Sequence, residues 1–212
     1  MRQLTPLVII GAGGHGREVL DIVEAMNSIM PIFEFLGFLD DGPVAEHLLE
    51  QRGARVIGDT ARLAALDCEY IVGIGRPDIR ERFDRMAMAW NRQPAVLVHP
   101  AASVGTSNRI GPGVVIAAGA RLTTNVSLGR HVHLNVNSTV SHDCVLGDYV
   151  TVNPGANISG SVSIGNGTTL GTGSSVIQGM TIGAGTMVGA GAAVVRDLSD
   201  GVTAVGVPAR PR

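Results

Sequence analysis

From Val104 to Val194 every sixth residue is aliphatic: Val104, Ile110, Ile116, Leu122, Leu128, Leu134, Val140, Leu146, Val152, Ile158, Ile164, Leu170, Val176, Ile182, Val188 and Val194. A fixed period sustained this long marks a solenoid, whose units bury their apolar residue only by stacking on one another. A longer period lies inside it, because glycine follows the aliphatic at Gly111, Gly129, Gly147, Gly165 and Gly183, each 18 residues after the last. Three hexads therefore make one coil, and strands of successive coils should stack about 4.8 Å apart as in any parallel sheet. The repeated glycine is expected to mark a corner where the backbone turns tightly or takes positive φ. The residue four after each aliphatic is mostly small or Val (Val114, Ala120, Val126, Val132, Ser138, Cys144, Val150, Ala156, Val162), as a narrow triangular interior requires. Cys144 falls in this set and reads as a small buried residue, not an acyl-carrying thiol.

The 212 residues can form two domains, and the composition changes between them. All four Phe, the single Trp and one of the two Tyr precede residue 91, leaving Tyr149 as the only aromatic of the repeat. With 16 basic and 18 acidic residues, the net charge of -2 offers no attraction to nucleic acid or an anionic membrane. The polar Met1–Pro6 opening and the brevity of "LVII" argue against a signal peptide or a spanning helix, so an intracellular, cytoplasmic protein is expected. Cys68 and Cys144 are far apart and lack metal-ligand spacing, which suits a reducing compartment.

The first half alternates strand and helix and so predicts a parallel sheet. "LVIIGAGGHGREVLDIVEAM" reads as a buried strand, a glycine turn and a helix with Val19, Ile22, Val23 and Met26 on one face. "FEFLGFLDD" is a strand ending in two acids, followed by helical stretches near 45–51 and 60–66. "YIVGIG" gives a third, glycine-ended strand, and a helix with the stripe Ile79, Phe83, Met86 and Trp90 follows. Gly11, Gly13 and Gly16 satisfy G-x-G-x-x-G, and Asp40 stands where a dinucleotide fold places its ribose-binding acid. Glycines let a phosphate approach the backbone, and a helix starting near His15 favours an anion. Fewer than 100 residues cannot supply both halves of a full dinucleotide fold, so a mononucleotide or nucleotide-sugar pyrophosphate suits this unit better than NAD.

The repeat, with its closing "GVPAR" (Gly206 to Arg210), resembles the hexapeptide-repeat acyltransferases. That resemblance implies a left-handed parallel β-helix, a homotrimer, and active sites in clefts between neighbouring helices. The whole layout, a short Rossmann-like α/β domain opening "GAGGHG" joined to a β-helix containing "HDC.LGD", resembles the sugar acetyltransferases of the sialic-acid O-acetyltransferase and bacillosamine N-acetyltransferase type. The implied organisation is a nucleotide-sugar-binding domain over 1–98, the β-helix over 99–200 and a capping tail over 201–212. By the same resemblance Gly13, Gly14 and His15 lie near the phosphates, Asp40 and Asp41 near the base, and Gly75 at the end of the third strand. Where relatives often carry "GNN", this chain has Gly75, Arg76 and Pro77.

For acyl transfer the chain needs a base to take a proton from the attacking amine or hydroxyl, and a donor for the oxygen that becomes negative. His142 is the candidate base: Gly160 lies 18 residues on, so the coil pattern places a glycine amide one strand spacing away. Relatives use the equivalent histidine as base and the following acid to make it more basic, which carries onto His142 and Asp143. His131 and His133 are its rivals; Asn135 and Asn153 form an expected amide ladder, and Asn137 a candidate for orienting the base. Acetyl-CoA is the implied cosubstrate, with Thr151, Thr172 and Ala190 as matched contact positions; some relatives have a histidine at Thr151 and a glycine at Ala190. Direct attack on the thioester is expected, with no covalent enzyme intermediate and no metal. The resulting expectation is acetylation of an amino group on a nucleotide-linked sugar, with O-acetylation of a sialic-acid-like or other sugar as the near alternative. A reductase built on the first domain and a non-catalytic sugar-binding scaffold are the readings from other classes.

Overall fold

The computed structural model describes residues 4–212 and divides into two compact units, the first ending at Pro100 and the second spanning Ala101–Arg212. Met1, Arg2 and Gln3, part of the polar opening discussed above, lie outside the described residues. Among the described residues no helix is long and apolar enough to cross a membrane.

The first unit runs β1 (Thr5–Ile10), α1 (Gly14–Ile29), β2 (Phe33–Leu39), α2 (Glu46–Glu50), β3 (Val56–Gly58), a 3-10 helix (Thr60–Ala65), β4 (Glu69–Val72) and α3 (Pro77–Ala89). The strands form one parallel sheet in the order β3-β2-β1-β4. β1 is central, and Leu7, Val8, Ile9 and Ile10 are at most 1 % exposed, which explains a continuous apolar run instead of an alternating one. β3 departs from the sequence expectation: three residues carry no readable period, and this edge strand forms by pairing with Phe38 and Leu39. The strand within "YIVGIG" is therefore the fourth, not the third; it ends at Val72, and Gly75 lies three residues beyond its end.

One core cluster joins Val8, Ile10, Leu39, Leu63, Tyr70, Val72, Phe83 and Ala87, with Ile79, Met86 and Trp90 packed against it. The inner face of α3 is not purely apolar, because Arg80 and Asp84 are both wholly buried. The Tyr70 hydroxyl donates to the Asp84 carboxylate, and Arg80 Nη1 donates to the carbonyls of Ile74 (2.9 Å) and Gly75 (3.0 Å). Such groups stay buried only when their polar atoms are engaged.

In the second unit every hexad contributes one two-residue strand, and registers of 18 residues stack them into three faces. The first face carries Ser103, Arg121, Thr139, Asn157, Ser175 and Ala193 in register. The second carries Arg109, Ser127, Val145, Ser163 and Thr181. The third carries Val115, His133, Thr151, Thr169 and Met187. Main-chain bonds such as Val145 N–H to Val162 O (2.9 Å) and Gly147 N–H to Ile164 O (2.8 Å) tie each coil to the next. From Ile116 to Val194 the hexad aliphatics are at most 4 % exposed, and the small-residue set inside the triangle from Val114 to Val162 is at most 1 % exposed. Thr203–Val205 extends the third face beyond Met187, and Arg210–Pro211 folds back antiparallel on it, closing that edge.

The corner glycines require a correction. Gly111, Gly129, Gly147, Gly165 and Gly183 do not have positive φ; a side chain there would strike the next coil, a Cβ on Gly165 lying 2.4 Å from Ala184 N. Positive φ falls instead three residues after each aliphatic, at every sixth position from Ser107 through Asn125, His131, Asp143 and Ser161 to Gly191, with φ between 50° and 78°. Glycine thus serves close approach in one column and left-handed geometry in another. Gly165→Ala should lower stability by about 2 kcal/mol, since backbone on the opposing coil cannot yield cheaply; a thermal or denaturant melt reads the loss directly.

Candidate active site

The glycine turn of the first unit is kept tight by Gly11, at φ +97°, and Gly16, where a Cβ would lie 1.9 Å from Gly11 O. Gly13 and Gly14 are exposed, and a Cβ on Gly13 would meet nothing. The fold therefore does not demand glycine at those two positions, and open space lies over the start of α1. No side chain caps that helix, so its first-turn N–H groups present partial positive charge to that space.

Both predicted acids have structural partners. Asp40 accepts from Ala12 N (2.7 Å) and Gly42 N (2.9 Å), and Asp41 accepts from Thr60 N (2.7 Å). His15 Nδ1 lies 3.2 Å from Glu18 Oε2. Burial is the main cause lowering the His15 pKa, with the Arg80 charge adding to it and Glu18 opposing. Arg76 makes a two-pronged contact with Asp78 (3.1 and 2.5 Å) on the surface just beyond Gly75. Arg80 escaped the sequence reading, which followed only the apolar stripe of its helix; the signal present was an Arg and an Asp four residues apart beside that stripe.

On the β-helix, His142 and Asp143 occupy the corner between the first and second faces. His142 Nδ1 is 2.8 Å from Asp143 Oδ2, and both side chains are half exposed. The imidazole lies flat over Gly160 in the next coil: a Cβ there would be 2.3 Å from His142 Cε1 and 2.5 Å from Nε2. The room that glycine leaves is thus filled by the ring. Ser161 N–H is committed to His142 O (2.8 Å), whereas among the described residues no backbone acceptor takes the Gly160 N–H. One coil earlier, Asn125 Nδ2 donates to Asp143 Oδ1 (2.6 Å). This contact, first, and His142, second, hold the Asp143 carboxyl below its ordinary pKa.

Other candidates separate from this corner. Asn137 stacks on Gly119, where a Cβ would be 2.1 Å from its Oδ1; the residue meeting the His–Asp pair is Asn125 instead. His131 and His133 are wholly buried, His131 over Gly113 and parallel to Tyr149 (centroids 6.1 Å), His133 within the third face. Asn135 Nδ2 reaches Asn153 Oδ1 at 3.4 Å, the expected ladder. Cys144 is buried, its Sγ bonded to Ser159 O (3.1 Å), and burial raises its pKa. Thr151 is 2 % exposed in the third face. Thr172 and Ala190 are exposed and stacked, Thr172 O accepting from Gly191 N (2.9 Å), on the corner between the third and first faces. Within one chain a whole face separates them from His142. An open groove of about 530 Å³ runs along the second face from Val145 past Ser163 and Gly165 to Thr181, Gly183 and Asp200. Among the described residues no three His, Cys, Asp or Glu side chains are grouped as a metal site requires.

A three-faced hexapeptide β-helix following a small parallel α/β unit in the chain, with a His–Asp pair on one corner, defines an acyltransferase architecture. The family described as the PglD N-terminal domain matches residues 6–86. The acetyltransferase domain of PglB from Neisseria gonorrhoeae is 37 % identical over 98 % of this chain and 100 % of its own, with a TM-score of 0.88. A perosamine N-acetyltransferase from Caulobacter crescentus, solved with CoA and GDP-perosamine, is 34 % identical over 99 % of this chain and 98 % of its own, with a TM-score of 0.90. WeeI from Acinetobacter baumannii is 27 % identical over 98 % of this chain and 100 % of its own, with a TM-score of 0.84. No curated protein sequence matches the chain. The chain belongs to the hexapeptide-repeat sugar acetyltransferases, acyl-CoA-dependent enzymes whose β-helix is left-handed.

The stacking of His142 on Gly160 is open to a direct test. Gly160→Ala drives a methyl into a half-exposed ring that can swing away, so if His142 takes part in the chemistry, turnover should fall at least about tenfold as the ring is displaced. The melting temperature should move by no more than about 4 °C, which separates ring displacement from collapse of the coil.

Proposed function

We propose that this protein transfers an acetyl group from acetyl-CoA to an amino group on a nucleotide-linked sugar, with His142 as general base. The observation carrying this reading is the corner where an oriented imidazole lies over Gly160, whose N–H has no backbone acceptor among the described residues, on a chain similar along its length to an N-acetyltransferase solved with CoA and GDP-perosamine. Structures of that relative were also solved with one histidine replaced by asparagine or alanine, holding the same two ligands.

In the proposed reaction the sugar amine attacks the thioester carbonyl carbon while its proton passes to His142 Nε2. The Asp143 carboxylate holds the ring through Nδ1 and faces the positive charge that develops on it. The Gly160 N–H donates to the carbonyl oxygen as it becomes negative. Collapse breaks the C–S bond, the proton on His142 goes to the departing sulfur, and the products are the amide and free CoA. The groove along the second face leads from Val145, three residues past the base, towards the C-terminal coils and suits the pantetheine arm.

The nucleotide sugar binds the first unit, its phosphates over Gly13, Gly14 and His15. Open space above an uncapped helix start, with the buried Arg80 charge nearby, supports an anion there. Asp40 and Asp41, just after β2, would face the nucleotide base, and Gly75, just after β4, would border the same ligand. A homotrimer accounts for Thr172 and Ala190: they reach a cleft containing His142 only when a second copy supplies them. The free thiols Cys68 and Cys144 suit a cytoplasmic location.

Release of CoA thiol, measured against a panel of nucleotide-linked amino sugars and hydroxy sugars, tests the reading. Turnover should be selective for an amino sugar and fall about 10² to 10⁴-fold in His142→Ala, with nucleotide-sugar binding retained. Turnover of hydroxy sugars alone would reassign the acceptor, and absence of thiol release with every sugar would leave a binding scaffold.

A further inference from the structure

We propose that Asn125 is a positioning residue of the transfer reaction, locking the Asp143 carboxylate so that it in turn fixes the His142 ring. The inference rests on the reading of His142 as base. Asp143 uses both oxygens at once: Oδ2 meets His142 Nδ1 at 2.8 Å, and Oδ1 accepts from Asn125 Nδ2 at 2.6 Å. With only the histidine contact, a half-exposed carboxylate could rotate about its own axis and swing the ring with it. With both ends held, one orientation remains, and the ring stays flat over Gly160 with Nε2 left for the substrate.

The coil register makes the contact possible. Asn125 and Asp143 are 18 residues apart, occupy the same corner column and share left-handed backbone, at φ 57° and 60°. Ser107 and Ser161 occupy the same column at φ 62° and 57°, and Gly179 follows at φ 78°. The corner thus accepts small residues of several kinds, and only at Asn125 does a side chain reach back to a carboxylate. An amide is chemically apt, since it donates a hydrogen bond without a positive charge that would compete with the imidazolium for Asp143. The lowered pKa of Asp143, with Asn125 its leading cause, agrees with a strongly engaged carboxylate.

Asn125→Gly and Asn125→Ser remove the amide yet leave residues that this column already carries, so the coil should fold and melt near the parent. Each should lower kcat about tenfold, the scale of one hydrogen bond to a charged group, with the acetyl-CoA KM within about twofold. Asn125→Asp should lose more, because it sets a second carboxylate against the first. In an Asp143→Ala background the Asn125→Gly change should alter kcat less than about twofold, as expected when one residue acts through the other. The proposal is overturned if both Asn125 variants keep kcat within about twofold of the parent, or if Asn125→Gly costs the same factor with and without Asp143. Near-parental turnover in His142→Ala would remove the base assignment itself and this proposal with it, a result distinguishable because it appears before any Asn125 variant is compared.

Discussion

The structure of the second unit depends on the main-chain hydrogen bonds that join each coil to the one 18 residues away. Single two-residue strands have no stability of their own; a coil exists because the next coil satisfies its N–H and C=O groups and covers its aliphatic residue. The ladder admits no slip, since a shift of one residue would bring hexad aliphatics out and polar residues in. Each column of side chains is therefore a line of fixed addresses, and chemistry written at one address is aligned with whatever stands one coil above or below.

The candidate site follows from that alignment. His142 lies over Gly160 and Asp143 accepts from Asn125, so four residues from three coils meet at one corner although Asn125 and Gly160 each stand 18 residues from their partner in the His142–Asp143 pair. The ladder also explains why the arrangement can be precise on so light a scaffold. The corner backbone is bonded on both sides, as in Asp143 N–H to Thr124 O (3.2 Å) and Ser161 N–H to His142 O (2.8 Å), leaving side-chain rotation as the main remaining freedom. The first unit solves a comparable problem differently: a glycine turn is held by Asp40 above one strand end, and by buried Arg80 through the carbonyls of Ile74 and Gly75 above another.

Much of this was legible in the chain because it is periodic. The hexad aliphatics, the small interior column that includes Cys144, the 18-residue coil and the His142–Gly160 stacking all follow from counting. What escaped counting has identifiable causes. β3 is too short to show a period. The glycines after the aliphatics look like turn glycines, yet they answer to the opposing backbone, while the left-handed positions accept Asn, Asp, His, Ser and Tyr and so hide from a search for glycine. Asn137 was nearer His142 in sequence than Asn125, but only Asn125 shares the Asp143 column.

By itself the sequence determined the solenoid, its coil length and the residues that must face inward, since burying a repeated aliphatic residue has one solution at this period. It also determined the parallel α/β unit, whose buried strands and amphipathic helices are readable one by one. Tertiary structure alone decided which side chain spans a coil to reach another, and that Arg80 and Asp84 lie inside and not on the surface. Those outcomes depend on rotamer directions and on packing between elements distant in the chain, and no local pattern of residues encodes them.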